Sequence, residues 1–314
     1  EQVIKCAIDL FGAVLAGTAS KMARIGLNLA TRYYPGDDAF ILLSGKTASL
    51  PGVVLANGMA ANALDIDDGH NMVKGHPGAV IFPAILAAAQ FARSRNGGPV
   101  SLQKFYEALV VGYEIAIRMG MALQRDYGFY HSSGSWGAAG AAAGSARLLG
   151  LDRIQSLHAL GVAEYHAPLT PVMRPVAIPS MNKDGIAWGT MSGMLATLMA
   201  QEGATGRPCL LEMDAYRSLV DSLGSTYEMM NLYFKPYCCC RWAHPAVHAV
   251  IDLRQKHHLT PEMVNRVRIL TFDAATRLYQ EKPTNTEEAQ YNVRYPIAAA
   301  LFAGELGPRQ VLDE

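Results

Sequence analysis

Fifteen consecutive residues, Asp65 to Ala79, hold three carboxylates, two histidines and a lysine. The full stretch, Asn62-Ala-Leu-Asp-Ile-Asp-Asp-Gly-His-Asn-Met-Val-Lys-Gly-His-Pro-Gly78, lies between two alanine-rich apolar runs, 53–63 and 79–92. Charges placed that close to buried helices mark a functional loop more readily than an idle connection. Three later polar segments supply further candidates: Tyr130-His131, Lys183 at the start of a glycine-spaced helix, and Lys235-Pro-Tyr-Cys-Cys-Cys-Arg241. From these we take Asp65, Lys74, His76, Tyr130 and His131 as candidate catalytic groups. Lys183, Lys235 and Arg241 are candidate substrate-binding cations.

Several cations near two histidines and a carboxylate suit an anionic substrate that gains or loses a proton next to a carboxylate group. Arginine grips a carboxylate through two parallel bonds, whereas lysine acts as a point charge. Removing a proton beside a carboxylate builds negative charge on its oxygens, which nearby cations stabilise. A histidine can move the proton, and a second acid can protonate a departing hydroxyl. The chemistry is β-elimination or epimerisation, and it needs no redox cofactor. Catalysis is expected to be metal-free: His70, His76 and His131 lack a recognised ligand spacing, and Cys238 to Cys240 are consecutive, so they cannot all face one ion. The five cysteines contain no C-x-x-C, against an iron–sulfur site. The glycines at 137, 140 and 144 lack the G-x-G pair of a dinucleotide fingerprint.

Each candidate has a plainer reading. Asp65 could cap a helix, His76 could hold a turn, and a lysine in a loop is commonly solvated. Asp67 and Asp68 read as structural.

The motifs also carry a resemblance. Ala63-Leu-Asp-Ile-Asp-Asp68 with Gly75-His-Pro-Gly78, Tyr130-His-Ser-Ser-Gly-Ser-Trp-Gly137, Asn182-Lys183 and Lys235 to His244 occur in the order seen in the MmgE/PrpD family. That family includes 2-methylcitrate dehydratase, cis-aconitate decarboxylase and iminodisuccinate epimerase. The resemblance implies a mainly α protein: a large all-helical domain plus a smaller α+β lid domain, expected to be incomplete in a chain that stops at Glu314. It also implies a homodimer and a small di- or tricarboxylate substrate, with dehydration the first reading and epimerisation or decarboxylation the alternatives. A non-catalytic member acting as a binding or scaffold protein is the contrasting possibility. It strengthens His76 and His131 as functional. Cys240 stands where some family members carry another histidine, and Lys74 points toward epimerase-like branches.

The elements that must position these residues are helical. Apolar residues at three- and four-residue spacing predict helices over 1–16, 21–33, 101–125, 135–149, 152–166 and 185–201. Pro51 suits the first turn of the next helix, and Ser101 and Asp152 suit N-caps. The run 39–43 is strand-like. From about residue 260 the pattern changes: Arg266 to Phe272 alternates as a strand would, and a helix follows over 287–302. A domain boundary is expected near 258, giving 1–257 as the helical domain and 258–314 as the start of the lid.

At 314 residues, half of them hydrophobic, the chain can bury a large core. Zero net charge gives no general attraction to nucleic acid or an anionic membrane surface. The uncharged run 185–201 is shorter than the roughly 20 residues of a membrane span. An odd number of cysteines, three of them adjacent, fits a reducing cytoplasmic or organelle-matrix setting rather than a disulfide framework. The chain opens on Glu1 rather than Met, and a fragment of a longer protein is the expectation.

Overall fold

The computed structural model describes residues 1–96 and 98–313. Its helices are α1 (Gln2–Gly17), α2 (Lys21–Tyr33), α3 (Leu50–Asn62), α4 (Pro77–Asn96), α5 (Leu102–Asp126), α6 (Ser133–Leu149), α7 (Arg153–His166), α8 (Met173–Ala177), α9 (Ile186–Gln201), α10 (Arg217–Val220), α11 (His244–His257), α12 (Asp273–Thr276), α13 (Thr286–Gln290) and α14 (Arg294–Ala303). Strands are confined to two small antiparallel pairs, β1 (Ala39–Ile41) with β2 (Lys46–Ala48) and β3 (Gly69–His70) with β4 (Leu232–Tyr233). The protein is mainly α.

Local sequence sets most helix ends. Ser20 caps α2 and Ser101 caps α5 through their hydroxyls, and Asp152 with Gln155 forms a reciprocal capping box on α7. Glycine ends α6: Gly150 adopts φ 75°, which costs a residue without a Cβ little. Inside the bundle, α6 packs against α4, α5, α7 and α9. The small residues of α6 make this possible. A Cβ on Gly189 of α9 would lie 2.6 Å from the Cα of Gly134 on α6, so the backbones themselves are in contact. No single helix among the described residues is long and apolar enough to cross a membrane.

Three apolar clusters form the core of the described residues, the smallest joining α6, α7 and α9, and two are more extensive. The larger fills the helical bundle around Leu10, Val53, Ile81, Ile85, Leu109, Tyr113 and Trp136. The second is built from Cys238, Cys239, Ala243 and Val247 with residues between 275 and 311, and it takes in Leu64, Val172 and Val176. Thus α11 packs with α14, and the second cluster begins ahead of the break expected near 258.

Three local expectations are corrected. Residues 264–272 have no regular secondary structure, because alternation alone makes no strand without a partner ladder, and none of the described residues supplies one. They lie instead across α14, where Ile269 and Ile297 line one groove. The helix expected over 287–302 is two helices, since Asn292 Oδ1 accepts the backbone N–H groups of Arg294 and Tyr295 and restarts the chain there. The strand-like run at 39–43 turns back after Ile41 into a hairpin with β2.

Candidate active site

The first polar loop leaves α3 by bonds that reach far along the chain. The Lys183 ammonium donates to the carbonyl of Asn62, to that of Ala63 at 3.2 Å and to Gln290 Oε1 at 2.9 Å; Gln290 Nε2 also donates to the Ala63 carbonyl at 2.9 Å. These donors satisfy the last carbonyls of a buried helix, which otherwise lack partners. Beyond them Asp65 turns at φ 52°, and Lys74 and Lys183 also take positive φ, at 52° and 42°. Left-handed backbone at non-glycine residues is uncommon and collects at functional sites. Three of the five such residues here belong to one region.

The loop then closes on itself. Asp68 accepts the Gly78 N–H at 2.9 Å and the Tyr113 hydroxyl at 2.5 Å, tying the start of α4 to α5. Gly78 must be glycine, because a Cβ there would lie 2.4 Å from that hydroxyl. The His76 N–H donates to Ser133 Oγ at 2.9 Å, and Nδ1 lies 2.8 Å from the Asp68 carbonyl. A carbonyl can only accept, so Nδ1 carries a proton and Nε2 is the nitrogen left for chemistry. Pairing of β3 with β4 lays residues 232–241 alongside, which brings Tyr233, Lys235, Cys240 and Arg241 to the same place.

Three carboxylates surround the His76 ring. Asp65 Oδ1 is 3.5 Å from Nε2, Asp67 Oδ2 is 3.3 Å from Nδ1, and Asp184 Oδ2 is 3.9 Å from Nε2. Asp67 is held by the Asn62 amide at 3.0 Å, and Asp65 by the buried Lys235 ammonium at 2.8 Å. Burial alone would lower the pKa of His76, but the charges of Asp67 and Asp65 outweigh it and push it up to about 10. Burial would raise Asp65, but Lys235, His76 and Lys183 hold it at about 2. His76 is therefore an imidazolium at neutral pH and Asp65 a carboxylate. Burial raises Asp184, against the pull of His76.

These groups border a cavity of about 160 Å³. Asp65, His76 and Asp184 line it together with Tyr130, Tyr233, Tyr291 and Cys240 and the apolar side chains of Val172, Val176 and Trp242. Burial keeps the Cys240 thiol protonated, with its pKa pushed up to about 12. Lys74 and Arg241 line the cavity and are otherwise exposed. The Lys74 ammonium is 5.7 Å from the Tyr130 ring centre and the Arg241 guanidinium carbon 5.0 Å from that of Tyr233. Among the described residues neither makes an ion pair, so both are available to an anion.

Of the eight residues picked from sequence, Asp65, Lys74, His76, Tyr130 and Arg241 line this cavity. The other three do not. Lys235 and Lys183 are buried, with the ammonium of one paired to Asp65 and that of the other bonded to the Asn62 and Ala63 carbonyls and Gln290, so both brace the Asp65 loop. His131 sits outside the cavity, with Phe129 and Tyr127 against its ring at 4.2 and 5.4 Å between centres. Its two nitrogens have no partner, and burial lowers its pKa, which keeps it neutral. Asp184 and Tyr291 were missed, and Asp67 was read as structural although it faces the His76 ring. Asp184 follows Lys183 and precedes α9, where an aspartate reads as a helix-start residue; Tyr291 comes from a distant segment with no local signal.

Asp65, Asp67 and His76 offer ligand atoms within 4.8 Å of one another, a spacing small enough for an ion. A cation there would share Asp65 with the Lys235 ammonium, which pairs with Oδ2, and would replace the Nε2 proton of the His76 imidazolium.

Comparison with known proteins agrees in kind. Residues 1–225 match the family model of the MmgE/PrpD N-terminal domain, and residues 237–314 that of the MmgE/PrpD C-terminal domain. The chain is 24% identical over 286 residues to the cis-aconitate decarboxylase-like protein oryM of Aspergillus oryzae, covering 80% of this chain and 58% of that protein. It is 24% identical over 293 residues to the cis-aconitate decarboxylase of Aspergillus terreus, covering 82% and 58%. The chain thus spans a little over half the length of the curated relatives it matches. With both family domains matched over most of its residues, the chain belongs to the MmgE/PrpD family.

Proposed function

We propose that this protein is a cofactor-independent lyase or isomerase that acts by proton transfer next to a carboxylate on a small di- or tricarboxylate, with dehydration of the 2-methylcitrate dehydratase kind the first reading. The observation that carries it is the His76 ring, set among the carboxylates of Asp65, Asp67 and Asp184 that favour its protonated form. Its Nε2 lies beside a cavity whose rim holds two unpaired cations, Lys74 and Arg241. Arg241 and Lys74 hold substrate carboxylates, and Lys74 takes up the negative charge that grows as the adjacent C–H bond breaks. His76 delivers the Nε2 proton to the departing hydroxyl, which leaves as water. Lys235 and Lys183 keep Asp65 charged and in place, and Asp65 in turn helps keep His76 protonated.

The curated relatives bear the name of a decarboxylase, and the same imidazolium suits that reaction. Loss of carbon dioxide leaves an electron pair on carbon, which the Nε2 proton fills. Epimerisation of an iminodisuccinate-type substrate uses the same cations with proton return at carbon. A member that binds polycarboxylates without turning them over is the non-catalytic counterpart.

Incubation with citrate, 2-methylcitrate, cis-aconitate and iminodisuccinate, followed by proton NMR and calorimetry, separates these readings. Turnover of one of them without an added cofactor is the expected result. Binding without turnover makes the protein a binder, and neither binding nor turnover removes the polycarboxylate assignment.

A further inference from the structure

A protonated His76 cannot also take a hydrogen from carbon, so elimination or epimerisation needs a second group in the same cavity. Three carboxylates face the ring, and they are not equivalent. Asp65 is held by Lys235 and is a weak base, its pKa down at about 2 because the lysines and His76 outweigh the effect of burial. Asp67 lies on the Nδ1 side, bonded by the Asn62 amide, and does not line the cavity. Asp184 lines the cavity, is only 4% exposed, and has no lysine or arginine in ion-pair contact among the described residues.

Its backbone is fixed on both sides. The Asp184 carbonyl accepts the Gly134 N–H at 2.9 Å, Gly185 N–H donates to the Asn182 carbonyl at 2.8 Å, and Lys183 is pinned through its side chain to the end of α3. A carboxylate so placed needs no rearrangement to meet a bound substrate.

We propose that Asp184 is the catalytic base, taking the hydrogen next to the substrate carboxylate while His76 acts as the acid; this rests on the function proposed above. The C–H bond breaks, its proton passes to an Asp184 oxygen, and its electron pair enters the enolate held by Lys74 and Arg241. In dehydration that pair then forms the C=C bond as the C–O bond breaks, and hydroxide leaves with the Nε2 proton as water. Asp184 is then protonated and His76 neutral. Their 3.9 Å separation lets the proton cross from Asp184 to Nε2 with a small side-chain shift, which restores the starting state. In epimerisation the Nε2 proton forms the new C–H bond on the other face of the same carbon once the enolate has turned over, because Asp184 and His76 lie only 3.9 Å apart. Decarboxylation breaks a C–C bond instead and takes only the proton of the acid, so it does not use Asp184.

The charges around Asp184 are consistent with that task. Burial raises its pKa, His76 and Lys183 lower it, and Asp65 and Asp67 raise it again. Tyr130, Tyr291 and Cys240, the neighbours that feel its charge, are held protonated by burial and carry none of their own.

The test follows deuterium from heavy water into the C–H position beside the carboxylate, by proton NMR, with whichever of the four acids the wild-type protein turns over. Calorimetry of the same acid runs in parallel. Asp184→Asn, an isostere, should bind within a few-fold of wild type yet lose exchange and turnover by roughly a hundredfold or more, the usual worth of a general base. Asp184→Glu should recover part of the loss. Exchange by Asp184→Asn at the wild-type rate overturns the proposal and leaves the function standing. Release of carbon dioxide by wild type, with Asp184→Asn equally active, overturns it in favour of decarboxylation. If wild type neither exchanges nor converts any of the four acids, the function itself falls, and the base with it.

Discussion

In the proposed mechanism His76 is the residue on which the chemistry turns, and its state follows from its neighbours. Asp67 and Asp65 make it an imidazolium, and the Asp68 carbonyl fixes which nitrogen faces the cavity. His76→Ala should lower kcat by roughly a hundredfold or more with the fold intact, as loss of a general acid typically does. A smaller loss in steady-state assays would mean that the acid lies elsewhere. Arg241 plays a different part in the proposed mechanism, holding the carboxylate in substrate and transition state alike from an exposed place at the rim. Arg241→Ala should raise KM by roughly tenfold or more, about the worth of a charge-assisted bond, with kcat less affected. A fall in kcat at unchanged KM would make it a transition-state group instead. Much of this was legible beforehand, because dense polar loops between apolar runs stand out in a sequence. Burial was not: Lys183 and Lys235 look like ordinary surface cations until the fold shows their ammonium groups enclosed by Asn62, Ala63, Gln290 and Asp65. Nor could local sequence show that the His131 ring packs against Tyr127 and Phe129 and does not line the cavity.

Among the elements, the contact of α6 with α9 does most to place the site. Gly134 opens α6 one residue after Ser133, which holds His76, and Gly189 lies on α9 five residues past Asp184. Close approach of these two helices therefore sets the spacing between the acid and the proposed base. Gly189→Ala pits two effects against each other. Alanine favours a helix over glycine by about 1 kcal/mol. Its Cβ, however, would lie 2.6 Å from Gly134 backbone atoms, and relieving such overlap costs about 1–3 kcal/mol. Net destabilisation is expected in urea unfolding, whereas Gly12→Ala, on an open face of α1, should be neutral or stabilising. Equal effects of the two would refute the packing argument. The helices were readable because their 3.6-residue period and caps are local. The segment 264–272 was misread because a strand depends on a partner as well as on its own alternation, and the break at Asn292 because a side chain, rather than a proline or glycine, makes it.

At the scale of the whole molecule, the acidic and basic groups gathered beneath the cavity set how stability varies with pH. Asp65 has its pKa held down at about 2 from an ordinary 3.8, so its contribution is present above 3.8 and is lost as pH falls toward 2. His76 is raised from 6.5 to about 10, so its contribution is complete below 6.5 and is lost as pH rises toward 10. Both are intact between about pH 4 and 6.5. Asp9, on α1, adds an opposing slope. Burial, with the charges of Asp68 and Asp67, raises it from 3.8 to about 8, so the folded chain holds its proton more tightly than the unfolded one. Stability from that source is fullest below 3.8 and declines as pH climbs to 8. Asp68 behaves likewise, raised by burial to about 6 against the bond from Tyr113. Maximum stability should therefore fall on the acid side of neutral. Asp9→Asn keeps the shape of the side chain and removes the titration. Its stability relative to wild type should improve steadily from pH 4 to 8 and level off beyond, measured by urea unfolding at fixed ionic strength. A difference between the two proteins that stays constant across that range would show that Asp9 ionises in the folded chain as it does in water.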